Sequence, residues 1–216
     1  MNAAAVRYAL AGSMGSQRWA APVATFAAAV LVLYAQGGDV GTTTAMGVVV
    51  LFVVSAWLAA ALAHGEPADR TAVTAASVGG LHRARLATVA AAAVWAQGLV
   101  LLSLLATVLL ARGVTAPWLV AELVAHETAL VAGTALGTAC APPVLSRAGW
   151  SLAIVLTVTV AELVVPHAPP VRLLVDALDT PGGQPPWALL AGLLLATVAS
   201  SAALVAAAWA WAWRRG

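Results

Sequence analysis

Charge is scarce in this chain of 216 residues: aspartate, glutamate, lysine and arginine together make up 8% of it, and 62% of the residues are hydrophobic. Soluble domains carry about 25% charged residues, so this composition excludes an ordinary soluble domain and indicates a membrane protein. Lysine is absent, and the formal net charge is only +2. So small a positive charge argues against the binding of nucleic acid, which depends on clustered basic residues.

Cysteine and the motifs of common enzymes are also nearly missing. Cys140 is the only cysteine, which excludes an intrachain disulfide and a cysteine metal cluster. The sequence has no glycine-rich phosphate loop with a lysine, so the chain does not bind a nucleotide in that way. His126 and Glu127 lack the second histidine of a zinc protease helix. We therefore expect no catalytic site and no metal in this chain.

Most of the chain consists of long apolar segments. Four charge-free runs and two weaker ones approach or exceed the roughly 20 residues that cross a hydrocarbon core as a helix. One of the weaker runs contains Glu122, His126 and Glu127, and the other contains Glu162. The sequence thus predicts an all-α polytopic membrane protein with a single transmembrane domain over residues 1–216. The six predicted spans are residues 19–38, 42–63, 86–111, 117–141, 148–166 and 186–213.

The arginines predict the orientation of the chain. If the N-terminus is cytoplasmic and six spans alternate, eight arginines lie in inside segments and only Arg112 and Arg172 lie outside. Positively charged residues are enriched in the cytoplasmic segments of membrane proteins. We therefore predict a multi-pass protein of the cell inner (plasma) membrane, with both termini and a loop at residues 64–85 in the cytoplasm.

Two segments outside the predicted spans have helical spacing. In residues 1–18, three apolar residues recur every four positions, which predicts a helix lying on the inner membrane surface; the alternative is a frayed tail. In the outer loop at residues 167–185, apolar residues at helical spacing and the pair Arg172 and Asp176 predict a short amphipathic helix. This helix either caps an exit path or belongs to a tethered loop.

Small residues repeat every four positions in the fourth predicted span, at Ala125, Ala129, Gly133 and Gly137. Small residues at this spacing let the backbones of neighbouring membrane helices approach each other closely. We therefore predict that this stripe is a helix-packing face. Because Glu122 continues the stripe, its carboxyl is expected to face protein or a water-filled cleft instead of lipid.

Ionisable residues within membrane spans are costly, which makes them candidates for function. His126 lies on the stripe with Glu122, while Thr159 and Glu162 belong to a polar stripe of the fifth span. Counting from the helix ends places the two carboxyls at similar depth. These four residues either line a substrate path or take up protons, or they are wetted or hydrogen-bonded within the bundle. Two carboxylates and one histidine do not by themselves specify a metal.

The polar loop between the second and third spans has a distinctive order. Acidic and basic residues come first, a short helical stretch at residues 71–77 follows, and Gly79-Gly80 break it before an arginine opens the next span. The candidate residues of this loop are Glu66, Asp69, Arg70, Thr71, Thr74, Ser77 and Arg83.

In this loop and in its layout, the chain resembles the membrane permeases of type-two ATP-binding-cassette (ABC) exporters. The resemblance covers nearly the whole chain but is one of layout, with little fixed sequence. It implies an interfacial elbow helix at residues 1–18 and a cytoplasmic coupling helix that inserts into a cleft of a separate ATPase. The seven candidate residues of the loop are then the ATPase-docking residues. The Gly79-Gly80 break differs from the proline-containing turn of many members.

The resemblance also implies partners and a mechanism. The partners would be an ABC ATPase subunit, a second permease chain, identical or different, and membrane lipid. This chain would need no cofactor, because ATP and magnesium bind the ATPase. With few charges inside, the expected substrate is a hydrophobic or amphipathic peptide, natural product or lipid. Two other classes stay open: a proton-coupled or passive transporter that uses Glu122, His126 and Glu162, and a membrane scaffold subunit that transports nothing.

Overall fold

The structure, a computed structural model, describes residues 3–35, 38–65, 68–179 and 184–214. The regular elements in these ranges are all helices, so the prediction of an all-helical fold is confirmed. In the described ranges the helices are α1 (Ala3–Ser16), α2 (Ala20–Ala35), α3 (Val40–Ala63), α4 (Ala68–Val78), α5 (Leu81–Leu110), α6 (Ala116–Ala139), α7 (Ala148–Val164), α8 (Val171–Leu178) and α9 (Trp187–Trp213).

Four of the described helices, α3, α5, α6 and α9, are long and apolar enough to cross a membrane by themselves. The helices α1 and α2 meet this criterion only together, and they bend by 78° at the break between them. Helix α7 is apolar but has only 17 residues, which extend over about 26 Å against a hydrocarbon core of about 30 Å. The chain is therefore a polytopic helical membrane protein with four such helices, or five if α1 and α2 form one broken span.

Helix α3 lies at the centre of the bundle and packs against α2, α5, α6, α7 and α8. Most of its side chains are buried, and its Leu51, Phe52 and Leu58 are almost completely so. Helix α9, by contrast, buries only Leu190, Leu193 and Thr197. A helix that is apolar all round and yet largely exposed faces lipid or another chain in the membrane.

The most extensive helix contact joins α3 and α6. Ala125 and Ala129 are fully buried, and the small-residue stripe continues toward α3 at two glycines. A side chain at Gly133 would overlap the backbone carbonyl of Phe52, and one at Gly137 would overlap the carbonyl of Ala56. The two backbones can therefore approach this closely only because these positions lack a Cβ.

The helices run between two ends of the bundle that differ in charge. At one end, Arg18 donates to the carbonyl of His64 at 3.2 Å, and the His64 ring lies 2.9 Å from the Ser151 hydroxyl. We call this the arginine-rich end, because the loops and helix termini there carry Arg18, Arg70, Arg83, Arg85, Arg147 and Arg214. At the opposite end, a backbone bridge joins Asp39 and Arg112.

Helix α8 covers the opposite end. Its Val171, Leu174 and Leu178 are completely buried, while Arg172 and Asp176 form an exposed ion pair at 3.0 Å. The helix contacts α3, α7 and α9, so it closes the ends of three helices at once. The predicted outer loop at residues 167–185 includes residues 180–183, which lie outside the described part of the chain.

Helix α5 begins at Leu81, five residues before the predicted third span at residues 86–111, so the helix extends into the predicted loop at residues 64–85. Arg83 and Arg85 therefore lie on the first turns of a long helix. Polar residues hid this start in the sequence, since a membrane helix can extend beyond the hydrocarbon core with arginines at headgroup level.

Candidate functional site

The first candidate site is the exposed face of α4 at the arginine-rich end. Arg70, Ala76, Ser77 and the nearby Arg83 are exposed, and Val73 is 71% exposed. We call these five residues the α4 surface. It combines an apolar centre with flanking positive charges, which is a suitable composition for docking another protein.

The other predicted docking residues have different positions. Thr74 is buried against the bundle at 7% exposure, and Thr71 is half-buried, so both lie on the inner side of α4. Asp69 is the second residue of α4, but the structure does not describe its side chain. Glu66 lies outside the described residues. Of the predicted set, Arg70, Ser77 and Arg83 therefore share the outer surface.

A glycine pair fixes how α4 joins α5. Gly79 has φ +83° and Gly80 has φ +137°, which are backbone conformations that residues with a side chain rarely adopt. The amide of Gly80 donates to the carbonyl of Ala75, and Arg83 donates to the carbonyl of Val78 at 3.4 Å. These contacts end α4 and hold Arg83 beside its C-terminus, where a positive charge is favourable.

Helix α1 lies against α5 on another side of the arginine-rich end. Trp95 donates to the Ser13 hydroxyl at 2.9 Å, and its ring stacks on that of Trp19 with a centroid distance of 4.6 Å. A cavity of about 350 Å³ lies between α1 and the α3–α5 segment, with Tyr8, Leu62 and Arg70 in its wall. Helix α1 is thus packed onto the bundle and is not a free tail.

A larger cavity, of about 740 Å³, lies at the same end between α3, α4, α5, α6 and α9. Its wall includes Ala75, Arg85, Thr88, Thr138 and Trp209.

His64 also lines this larger cavity. Burial lowers the pKa of the His64 imidazole below its ordinary value, and the Arg18 guanidinium adds to this effect. The Ser151 hydroxyl donates to the carbonyl of Cys140, so it accepts from Nε2 of His64. The cavity wall at this point therefore contains the His64 ring, with its Nε2 hydrogen directed at Ser151.

A buried polar cluster surrounds Glu122 in the interior of the bundle. Both Glu122 and His126 are completely buried. Oε1 of Glu122 accepts from Thr107 at 2.7 Å and from Ser103 at 3.3 Å, and the Tyr34 hydroxyl bonds to Thr107. Oε2 of Glu122 has no hydrogen-bond partner among the residues that the structure describes. We call these five residues the Glu122 cluster.

The donors and acceptors in the Glu122 cluster can be assigned from the hydrogens that are available. Nδ1 of His126 donates to the carbonyl of Glu122 at 2.9 Å, because a carbonyl can only accept. A neutral His126 then presents Nε2 as an acceptor, 3.1 Å from the Ser103 hydroxyl. The single hydrogen of Ser103 goes either to His126 or to Glu122. The cluster is thus tightly coupled, and it lines neither of the two cavities described above.

Glu162 belongs to a different part of the molecule. Ser151, Val155 and Thr159 are the buried residues of α7, and Glu162 lies on the same side of the helix but is only partly buried. Its Oε2 accepts from the amide of Val171 at 3.3 Å, which links α7 to the start of α8. The structure therefore does not bring Glu162 into the hydrogen-bonded cluster of Glu122 and His126.

Sequence reasoning missed the partners of Glu122 and the position of Arg85. Ser103 and Thr107 are four residues apart on α5, so their shared helical face was a usable signal. Tyr34 is 73 residues from Thr107 in the chain, and no local pattern connects them. Within the ranges that the structure describes, no three histidine, cysteine, aspartate or glutamate side chains come together to hold a metal ion.

Comparison with known proteins adds no relative to these observations. No protein-family model, no curated protein and no solved structure matches this chain.

Proposed function

We propose that this protein is the transmembrane permease subunit of an ABC exporter. The α4 surface is the observation that carries the proposal. A short helix between two long apolar helices leaves Val73 71% exposed, with Arg70 and Arg83 beside it. An apolar centre of Val73 and Ala76 beside arginines has the composition of a surface on which another protein can dock. The partner would be an ATPase with a cleft that receives α4. Glu66 and Asp69 would also contact this ATPase.

The geometry of the N-terminal helices supports the same proposal. The 78° bend between α1 and α2 and the packing of α1 on α5 suit an interfacial elbow helix before a first span. Helices α2 and α7 are shorter than the other spans, but both begin at the arginine-rich end, as the contacts of Arg18 and Ser151 indicate. Near their other ends, Tyr34 of α2 bonds to Thr107 of α5, and Glu162 of α7 bonds to the start of α8. We therefore propose six spans, with the arginine-rich end and both termini in the cytoplasm.

The membrane-facing surfaces support a dimeric transporter. Helix α9 exposes most of its apolar surface, which leaves room for lipid and for a second permease chain. ATP and magnesium would bind only to the ATPase subunits. Because few charges line the interior, a hydrophobic or amphipathic molecule is the substrate class that fits, and its route would lead out of the cytoplasm or the inner leaflet of the inner membrane.

The two alternatives predict different results from the permease. A proton-coupled transporter would need Glu122, His126 and Glu162 on one path, yet Glu162 contacts α8 while the other two belong to the Glu122 cluster. Detection of an ATPase partner separates the proposed permease from this alternative. A scaffold subunit that transports nothing would retain the fold and could use the same docking helix, so ATP-dependent flux of a substrate separates it from a permease.

The docking proposal is tested by reversing charge on the α4 surface. We expect the double variant Arg70→Glu with Arg83→Glu to insert into the membrane at the normal level but to lose co-purification of the ATPase in mild detergent. The matched control is Arg112→Glu with Arg172→Glu at the opposite end, which changes the net charge equally and should keep the ATPase bound. Normal recovery of the ATPase with the first variant would overturn the proposal.

A further inference from the structure

Arg85 is a charged residue in the wall of the larger cavity, and its guanidinium has no partner in the described part of the chain. Its side chain is half-buried on the second turn of α5 and lines the cavity wall. Among the residues that the structure describes, none forms a hydrogen bond or an ion pair with its guanidinium. Half-buried guanidinium groups are stabilised by an anion that accepts from their planar donors. The position of Arg85 therefore calls for an anionic partner.

The rest of the cavity wall restricts what that partner can be. The hydroxyls of Thr88 and Thr138 provide polar contacts, while Ala75, Trp209 and the Pro142-Pro143 pair make other parts of the wall apolar. The volume of about 740 Å³ falls within the range of roughly 300–1,000 Å³ that is usual for small-molecule sites. A free inorganic anion would leave the apolar wall unfilled, so the occupant is an amphiphile with an anionic head.

The location of the cavity identifies the source of the amphiphile. The cavity lies at the arginine-rich end, and Trp209 belongs to α9, a helix with only three buried residues. Basic pockets between membrane helices on the cytoplasmic side bind anionic lipid headgroups. We propose that this cavity binds an anionic phospholipid, with its phosphate on Arg85 and the upper part of an acyl chain against Trp209. The lipid would come from the leaflet at the arginine-rich end, which is the inner leaflet in the proposed orientation.

A lipid in this cavity would also contact α4. Thr71, Ala72 and Ala75 of α4 line the cavity, so an occupant supports the inner side of the helix whose outer side is the α4 surface. The lipid proposal does not require the docking proposal, because it can be tested on the purified chain without any ATPase.

The test is a lipid titration of the full chain in neutral detergent, followed by native mass spectrometry. Phosphatidylglycerol, phosphatidylcholine and inorganic phosphate are added separately. We expect the wild-type protein to bind one phosphatidylglycerol in preference to phosphatidylcholine. Arg85→Gln should weaken phosphatidylglycerol binding by at least about tenfold, as expected when a charge-assisted contact to phosphate is lost. Arg147→Gln, an exposed arginine at the same end that does not line the cavity, should bind like the wild type.

A second variant keeps the test informative if Arg85→Gln fails to fold. Ala75→Phe leaves Arg85 in place but fills the cavity, and it should also lose phosphatidylglycerol binding while the protein elutes normally from a sizing column. Equal binding of both lipids by the wild type, or equal loss in Arg85→Gln and Arg147→Gln, would overturn the proposal. Displacement of the lipid by inorganic phosphate at similar concentration would also overturn it, since the acyl chain would then add nothing.

Discussion

The two ends of the bundle are built differently. At the arginine-rich end, α4 leaves an exposed surface, and two cavities of about 350 and 740 Å³ lie beneath the loops and helix ends. At the opposite end, α8 buries Val171, Leu174 and Leu178 completely, and Glu162 bonds to the first amide of that helix. The bridge between Asp39 and Arg112 further ties the helix ends together.

Charge and packing divide the molecule in the same way. The end with many arginines has accessible surfaces and cavities, while the end with few arginines is covered by its own short helix. Under the proposed function, the open and positively charged end would receive the protein partner and anionic lipid, and the covered end would face the exit of the substrate. The α3–α6 contact runs from one end of the bundle to the other.

The largest loss of stability is expected at the close contact between α3 and α6. Gly137→Ala should destabilise the protein by about 1–3 kcal/mol, because the added methyl group overlaps the carbonyl of Ala56 in a closely packed contact. Gly98→Ala is the matched control: it lies on α5 with open space around it, and it should be neutral or slightly stabilising. Thermal unfolding in detergent measures both. Equal stability of the two variants would show that the close α3–α6 crossing is not needed.

A smaller loss of stability is expected from a change in the Glu122 cluster, and a still smaller one from a change at Glu162 in the covered end. Glu122→Ala leaves the Thr107 hydroxyl without its buried acceptor, while the Ser103 hydroxyl can still donate to Nε2 of His126, and it should cost about 1–2 kcal/mol. Glu162→Ala removes one long hydrogen bond from the partly exposed start of α8 and should cost less. Unfolding of each variant in the same detergent gives the comparison. A larger loss for Glu162→Ala would mean that the covered end, and not the Glu122 cluster, holds the bundle together.

The sequence predicts those features that depend on neighbouring residues. Helices α3 and α9 follow from charge-free runs, and a close packing face on α6 follows from small residues at every fourth position, although its partner α3 does not. The amphipathic helix α8 follows from its apolar spacing and from the Arg172 and Asp176 pair. The number of spans does not follow as directly, because α2 and α7 are short and apolarity alone does not determine whether such a helix crosses a membrane.

Features made by distant residues were beyond sequence reasoning. The Glu122 cluster joins Tyr34, Ser103 and Thr107 to the Glu122 carboxylate of α6, so its composition depends on how α2, α5 and α6 pack. The larger cavity takes its wall from five helices, and Arg85 is within reach of it only because α5 begins at Leu81. Helix starts at a membrane surface are hard to place, since polar residues are compatible with both a loop and a helix end.

Site-specific cross-linking tests the central claim, that the arginine-rich end receives an ATPase, most directly. Cys140 is the single cysteine and is buried, so Cys140→Ala provides a background for Val73→Cys on the α4 surface and for Gln184→Cys at the opposite end. In native membranes with a maleimide–benzophenone reagent, whose photoactivated end needs no cysteine on the partner, we predict that Val73→Cys links to an ABC ATPase subunit and that Gln184→Cys does not. Absence of that subunit from the Val73→Cys product, or its equal capture from both ends, would contradict the account.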